Sequence, residues 1–271
     1  MLAVSGKGGD IFIYNTSNYA TPASRVPLSF AVNNITWSPD DSKILATCED
    51  NTARIWDNRK SSWLTCINTF AYPPTSGAWD PKQASTVIIG SQYEPYGLSS
   101  WSESGAIVDG WSERYLASHL ALSEDGRLLV AITEDCVYIY DAETRQKIHE
   151  LVLDGADLES VDISKDSRQL LLANSRGIAT DLIIDIHSGE VTGTFYGYNV
   201  GGSIIHSSFG GINDEYIMSG NEDGRVFIWD RESRLKAILK HSSGGCVTEV
   251  SWHPQDPTIF ASGGDDGTVC M

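Results

Sequence analysis

Apolar and polar residues alternate at step two in short runs along the whole chain. In Val247-Thr-Glu-Val250-Ser-Trp252, Val250 and Trp252 share one face while Thr248, Glu249 and Ser251 interrupt the apolar run. A step of two predicts strands, whose successive side chains point to opposite faces. Six such runs end in the same punctuation: Trp37-Ser-Pro-Asp40, Trp79-Asp-Pro81, Leu122-Ser-Glu-Asp125, Ile163-Ser-Lys-Asp166, Phe209-Gly-Gly211 and Trp252-His-Pro254. The gaps between them are 42, 43, 41, 46 and 43 residues. A second ladder runs out of phase with the first: Ile11-Phe-Ile-Tyr14-Asn15, Ala53-Arg-Ile-Trp56-Asp57, Val137-Tyr-Ile-Tyr140-Asp141 and Val226-Phe-Ile-Trp229-Asp230. A period of about 40 to 45 residues carried by two ladders predicts a propeller array.

Turn chemistry divides each period. Ser38-Pro-Asp-Asp-Ser42, Ser123-Glu-Asp-Gly126 and Ser164-Lys-Asp-Ser167 put proline, aspartate or glycine where φ must be fixed or positive. A second strand follows, as in Ile44–Thr47, Leu128–Ala131 and Leu170–Ala173, then a tight hairpin, clearest at Asp223-Gly224 and Asp266-Gly267. The aromatic ladder is the third strand, and a fourth, such as Gln146–Leu151, leads to the next marker. No segment has the pattern of an amphipathic helix. Third strands near residues 14, 56, 101, 140, 184 and 229, with a seventh starting at Thr268, predict seven blades. The chain is expected to be one domain over 1–271. Its blades are roughly 1–25 (partial), 26–66, 67–110, 111–150, 151–193, 194–238 and 239–271 (partial). A four-stranded sheet with two apolar faces must pack face to face against its neighbours.

These ladders resemble the WD-repeat β-propellers, the family named for the dipeptide that stands here as Trp56-Asp57 and Trp229-Asp230. The expected fold is therefore all-β, a seven-bladed WD-repeat β-propeller, truncated in its first and last blades. Departures are Tyr14-Asn15, Tyr140-Asp141, Leu98-Ser-Ser-Trp101-Ser102 after an enlarged turn at Tyr93-Glu-Pro-Tyr96, and Leu182-Ile-Ile-Asp185 with no aromatic.

Composition narrows the chemistry. Lysine and arginine number 19 against 36 aspartates and glutamates, a formal charge of -17, and the longest basic run is Arg59-Lys60. Such a surface repels phosphate and predicts no nucleic-acid partner. Five scattered cysteines, with no Cys-x-x-Cys spacing, argue against a disulfide framework and a zinc site. No secretory leader or 18-residue apolar run appears, so the expectation is a cytoplasmic or also nuclear protein with no membrane partner.

His241, Ser262 and Asp266 bring together the residue types of a catalytic triad. The family resemblance implies another role for them, a buried hydrogen-bond chain that locks a blade. His187-Ser-Gly-Glu190 sits where Asp141-Ala-Glu-Thr144 and Asp230-Arg-Glu-Ser233 recur as turns, so it is a turn and not a metal pair. With no ligand spacing among six histidines and no glycine-rich loop before a helix, no catalytic, metal or cofactor site is expected. Three residues before each marker stand Asn34, Ser76, His119, Ser160, His206 and Glu249, polar in all six repeats. On innermost strands this column is either a hydrated structural network or the floor of a recognition pocket that includes His206. Tyr72, Tyr93, Tyr96 and Tyr198 offer aromatic contact area for protein partners.

The stretch from Ile204 to Trp229, with Val250-Ser-Trp-His-Pro254, Phe260-Ala-Ser-Gly-Gly-Asp-Asp-Gly-Thr268 and Ile163–Leu172, is similar to the WD-repeat subunit of the GID/CTLH (glucose-induced degradation) E3 ubiquitin ligase complex. Members of that family carry a LisH-CTLH helical region ahead of the propeller, which these residues do not include. The resemblance implies a non-catalytic scaffold that holds ligase subunits together or presents substrate proteins for proteasome-dependent degradation. Two other readings stand beside it: a WD-repeat adaptor of a chromatin or signalling assembly, and a propeller hydrolase, for which the inner column supplies only Glu249.

Overall fold

A computed structural model describes residues 1–15, 18–68, 70–83, 85–91, 97–111, 116–175, 180–196, 205–241 and 245–271. Among them, 26 strands form seven sheets, five of four strands and two of three, each ordered as its strands follow one another in the chain. The chain is all-β, and its seven sheets are the seven blades that the ladders predict. The first and last sheets have three strands. The one helical element among the described residues is a 3-10 turn at Ile212–Asp214.

The chain divides into two compact units, Met1–Gly126 and Arg127–Met271. The first holds β1 (Leu2–Val4), β2 (Ile11–Tyr14) and β3 (Ser24–Val26). Next come β4 (Val32–Trp37), β5 (Lys43–Cys48), β6 (Thr52–Asp57) and β7 (Ser62–Ile67). They are followed by β8 (Pro74–Trp79), β9 (Thr86–Ser91), β10 (Leu98–Ser102), β11 (Ile107–Gly110) and β12 (His119–Leu122). Parity along β5 explains why both faces of the sheet are apolar. Ile44, Ala46 and Cys48 join Ile11, Ile13 and Val26 of the first sheet, while Leu45 joins Trp79, Val87 and Ile89 of the third.

The second unit holds β13 (Leu128–Ile132), β14 (Cys136–Asp141) and β15 (Lys147–Val152), then β16 (Leu158–Ile163), β17 (Gln169–Asn174), β18 (Thr180–Asp185) and β19 (Val191–Phe195). After these come β20 (Ser207–Gly210), β21 (Tyr216–Ser219), β22 (Arg225–Asp230) and β23 (Leu235–Lys240), and finally β24 (Val247–Trp252), β25 (Phe260–Gly264) and β26 (Val269–Cys270). The same parity operates on β22. Phe227 and Trp229 pack with Leu171, Ile183 and Phe195, whereas Val226 and Ile228 pack with Val247 and Val250.

The polar half of each ladder has a local cause. Asp57 accepts the backbone N–H groups of Arg59 and Lys60, both at 2.9 Å, and so turns the chain between β6 and β7. Asp141, Asp185 and Asp230 repeat this with Glu143 and Thr144, His187 and Ser188, and Glu232 and Arg234. At the marker turns the hydroxyls of Ser38, Ser123 and Ser164 donate to Asp40, Asp125 and Asp166, each at 2.7 Å. The residue three places after each serine, Asp41, Gly126 or Ser167, takes a left-handed φ of 55°, 65° or 58°.

Candidate interaction site

The innermost strands are irregular at one place. Register shifts fall between Val32 and Asn34 on β4, Pro74 and Ser76 on β8, Leu158 and Ser160 on β16, and Val247 and Glu249 on β24. A bulge inserts one unpaired residue and re-aims its side chain. In the first unit the extra residues reach the next sheet: Asn33 Nδ2 donates to the Pro74 carbonyl at 3.1 Å and Thr75 Oγ1 to the Ala117 carbonyl at 2.7 Å.

The neighbouring polar column divides in two. Ser76 and Ser160 are buried, and each hydroxyl accepts a backbone N–H from the following inner strand, Leu120 and Ser207 respectively, both at 3.3 Å. These serines are stitches within the fold. In the second unit Glu159, His206 and Glu249 remain partly exposed. His206 Nδ1 lies 2.7 Å from Glu249 Oε2, and the His206 N–H donates to the Thr248 carbonyl at 2.9 Å. Glu159 accepts the Ser175 hydroxyl at 2.9 Å. Burial works against a charged imidazole, but the carboxylates of Glu249 and Glu159 hold the His206 pKa above its ordinary value. Burial raises the Glu159 pKa, with Asp157 adding to it and the Ser175 hydrogen bond opposing. Asp162 accepts the Phe209 N–H at 2.9 Å, and burial pushes its carboxyl up to about 6.

His241, Ser262 and Asp266 converge on one sheet, with a fourth member that the sequence did not single out. His241 has a fully buried side chain, and its Nδ1 lies 2.7 Å from Ser262 Oγ. Asp266 Oδ1 is 3.9 Å from His241 Nε2, and the Thr268 hydroxyl stands between them. Thr268 Oγ1 is 3.0 Å from Nε2 and donates to Asp266 Oδ1 at 2.7 Å. Because Thr268 donates to Asp266, its oxygen accepts from Nε2–H, and in the neutral imidazole Nδ1 then accepts from Ser262. The only hint of Thr268 in the sequence is its place just after the Asp266-Gly267 hairpin.

Tyr72 is 47% exposed. Tyr93, Tyr96 and Tyr198 lie outside the described residues. His206 is less open than Tyr72, with its side chain 19% exposed and held by Glu249. Asp185 anchors the turn that carries His187, as the repeat predicts. Among the described residues no three histidine, cysteine, aspartate or glutamate side chains group as metal ligands.

The WD domain, G-beta repeat family model matches residues 27–57 and 233–271. The chain is 27% identical over 256 residues, 90% of its length, to a WD repeat-containing protein WDS homolog of Arabidopsis thaliana, covering 46% of that protein. It is 32% identical over 180 residues, 64% of its length, to GID complex subunit 7 of Schizosaccharomyces pombe, covering 35% of that protein. It is 25% identical over 278 aligned residues, 99% of its length, to a WD repeat-containing protein 26 homolog of Drosophila melanogaster, covering 43% of it. The chain thus spans less than half the length of each of these relatives. Two residue ladders, seven sheets and these similarities together support a WD-repeat β-propeller that resembles a GID complex subunit.

Proposed function

We propose that this chain is a non-catalytic protein-interaction scaffold, serving as a subunit or substrate-presenting adaptor of a GID/CTLH-type E3 ubiquitin ligase in proteasome-dependent degradation. The observation that carries this reading is the 32% identity over 180 residues to GID complex subunit 7 of fission yeast. The Ser262–His241–Thr268–Asp266 chain supports the non-catalytic part: Ser262 is 3% exposed and its hydroxyl is committed to an imidazole with no exposed side-chain surface. A nucleophile so placed cannot approach a substrate carbonyl. The partners are other proteins, ligase subunits and substrates, met in the cytoplasm or also the nucleus. The test is affinity purification of the tagged full-length protein from its own cells with mass spectrometry of what it retains. Near-stoichiometric RING and LisH-CTLH subunits are expected. Another stable assembly in their place would overturn the ligase assignment and leave a WD-repeat adaptor of a different complex.

A further inference from the structure

The outer strand β23 departs from the rest of this acidic molecule. Residues 230–240 carry Arg231, Arg234, Lys236 and Lys240 against Asp230 and Glu232, a local charge of +2 on a chain of -17. The strand reads Leu-Lys-Ala-Ile-Leu-Lys and closes the order β20-β21-β22-β23, so its far edge is an open row of backbone donors and acceptors. Leu235, Ile238 and Leu239 are 49%, 43% and 41% exposed. Two other outer strands differ in charge. In β15, Lys147 is matched by Glu150 at 2.6 Å, and β19 is Val-Thr-Gly-Thr-Phe.

The charge on β23 also runs against the needs of its own sheet. Lys240 stands opposite Arg225 in the register, and the carboxylate at hand, Asp223, is taken by the Arg225 guanidinium. Lys236 lies 3.1 Å from Asp230, yet its side chain stays 46% exposed. Lysines on an open edge discourage pairing with an identical strand, because a second β23 would bring lysines against lysines. They favour a carboxylate-bearing strand, whose backbone pairs with the edge, whose acidic side chains face Lys240 and whose aliphatic side chains face Leu239 across the opposite side of the sheet.

We propose that the β23 edge takes an extended segment of a partner protein as an added strand, one in which acidic and aliphatic residues alternate. This rests on the interaction-scaffold reading and names a surface and partner chemistry for it. The test titrates the full chain into a fluorescein-labelled decapeptide of alternating glutamate and valine, with a lysine–valine decapeptide as control, and maps amide exchange in the complex. Saturable binding of the acidic peptide, weakened by salt and slowing exchange at 235–240, is expected. In K236E/K240E, with an unchanged thermal melt, the acidic peptide should bind at least about tenfold more weakly and the lysine peptide should gain what it loses. Absence of saturable binding, protection of some other segment, or equal binding by K236E/K240E would overturn the proposal. Protection of 235–240 in a self-associated protein without peptide would overturn it too, in favour of a second copy. The peptide result is independent of the ligase assignment: failure of the tagged protein to retain any partner sinks the scaffold reading, whereas failure of the peptide alone sinks only this surface.

Discussion

The indole of Trp252 on β24 packs directly against the α-carbon of Gly210 on β20, so closely that a β-carbon at 210 would overlap the ring. Both residues belong to the marker ladder, one as the aromatic of Trp252-His-Pro254 and the other as the first glycine of Phe209-Gly-Gly211. The ring is held in place from two other directions. It stacks on Tyr216 at 6.0 Å with an interplanar angle of 12°, and its Nε1 donates to the Pro257 carbonyl at 3.1 Å. Gly210→Ala should therefore destabilise the second unit by about 1–3 kcal/mol, the ordinary cost of overpacking a fixed core. Urea denaturation followed by tryptophan fluorescence measures it, and an unchanged midpoint would show that the ring can shift aside.

Two of the four buried indoles of the first unit, Trp56 and Trp79, differ in one hydrogen bond. Trp79 donates to the Thr36 carbonyl at 3.1 Å, whereas Trp56 Nε1 has no acceptor among the described residues and the ring lies edge-on to Trp63 at 5.2 Å. Removing a satisfied donor also strands its acceptor; removing an unsatisfied one strands nothing. Trp79→Phe is expected to cost about 1 kcal/mol more than Trp56→Phe in parallel melts. Equal losses would contradict this difference.

Ser262→Ala leaves the buried Nδ1 of His241 without its donor while removing only one oxygen. A loss of about 1–3 kcal/mol is expected, the desolvation cost of an orphaned polar atom. Thr268→Val at the other end of the chain should also destabilise, because Nε2–H loses its acceptor and Asp266 loses one donor. A Ser262→Ala protein that melts with the wild type would show that the chain does not lock the blade.

Stability should fall as pH rises from near 4 to above 6.5. Burial raises Asp162 from 3.8 to about 6, and Glu249 and Glu159 hold His206 above 6.5. Both groups bind a proton more tightly folded than unfolded. Each contribution is therefore complete below the unfolded pKa and lost as pH climbs through the folded one. For Asp162 that window runs from about 4 to about 6, and for His206 it lies above 6.5. Asp162→Asn should flatten the lower part of the profile and His206→Gln the upper. Melts at half-unit steps check this, and a wild-type profile that rises across the window would refute it. The turn aspartates work at the opposite end: backbone and side-chain donors hold Asp57 and Asp185 below 3.8, so their contribution disappears as pH falls through the acid range.

Features that repeat locally are legible in the residues alone. The two ladders fixed the number and order of strands, because a strand's side chains alternate by parity alone, and Ile44, Leu45 and Ala46 fall on the faces that parity assigns them. Asp57, Asp141, Asp185 and Asp230 recur because each closes a turn within three or four residues of itself, which any local reading can see. The tertiary structure decided everything that depends on the register of one sheet against the next. Glu249 meets His206 across 43 residues, Ser160 receives the Ser207 N–H across 47, and Trp252 needs a glycine at 210 only because β24 packs against β20. Ser76 and Ser160 stood in the same column as His206, yet inter-strand packing buries them as backbone stitches and leaves the imidazole partly exposed beside Glu249. Periodicity gives the direction of a side chain from its strand but not the distance to the neighbouring sheet, and that distance separates a stitch from a site.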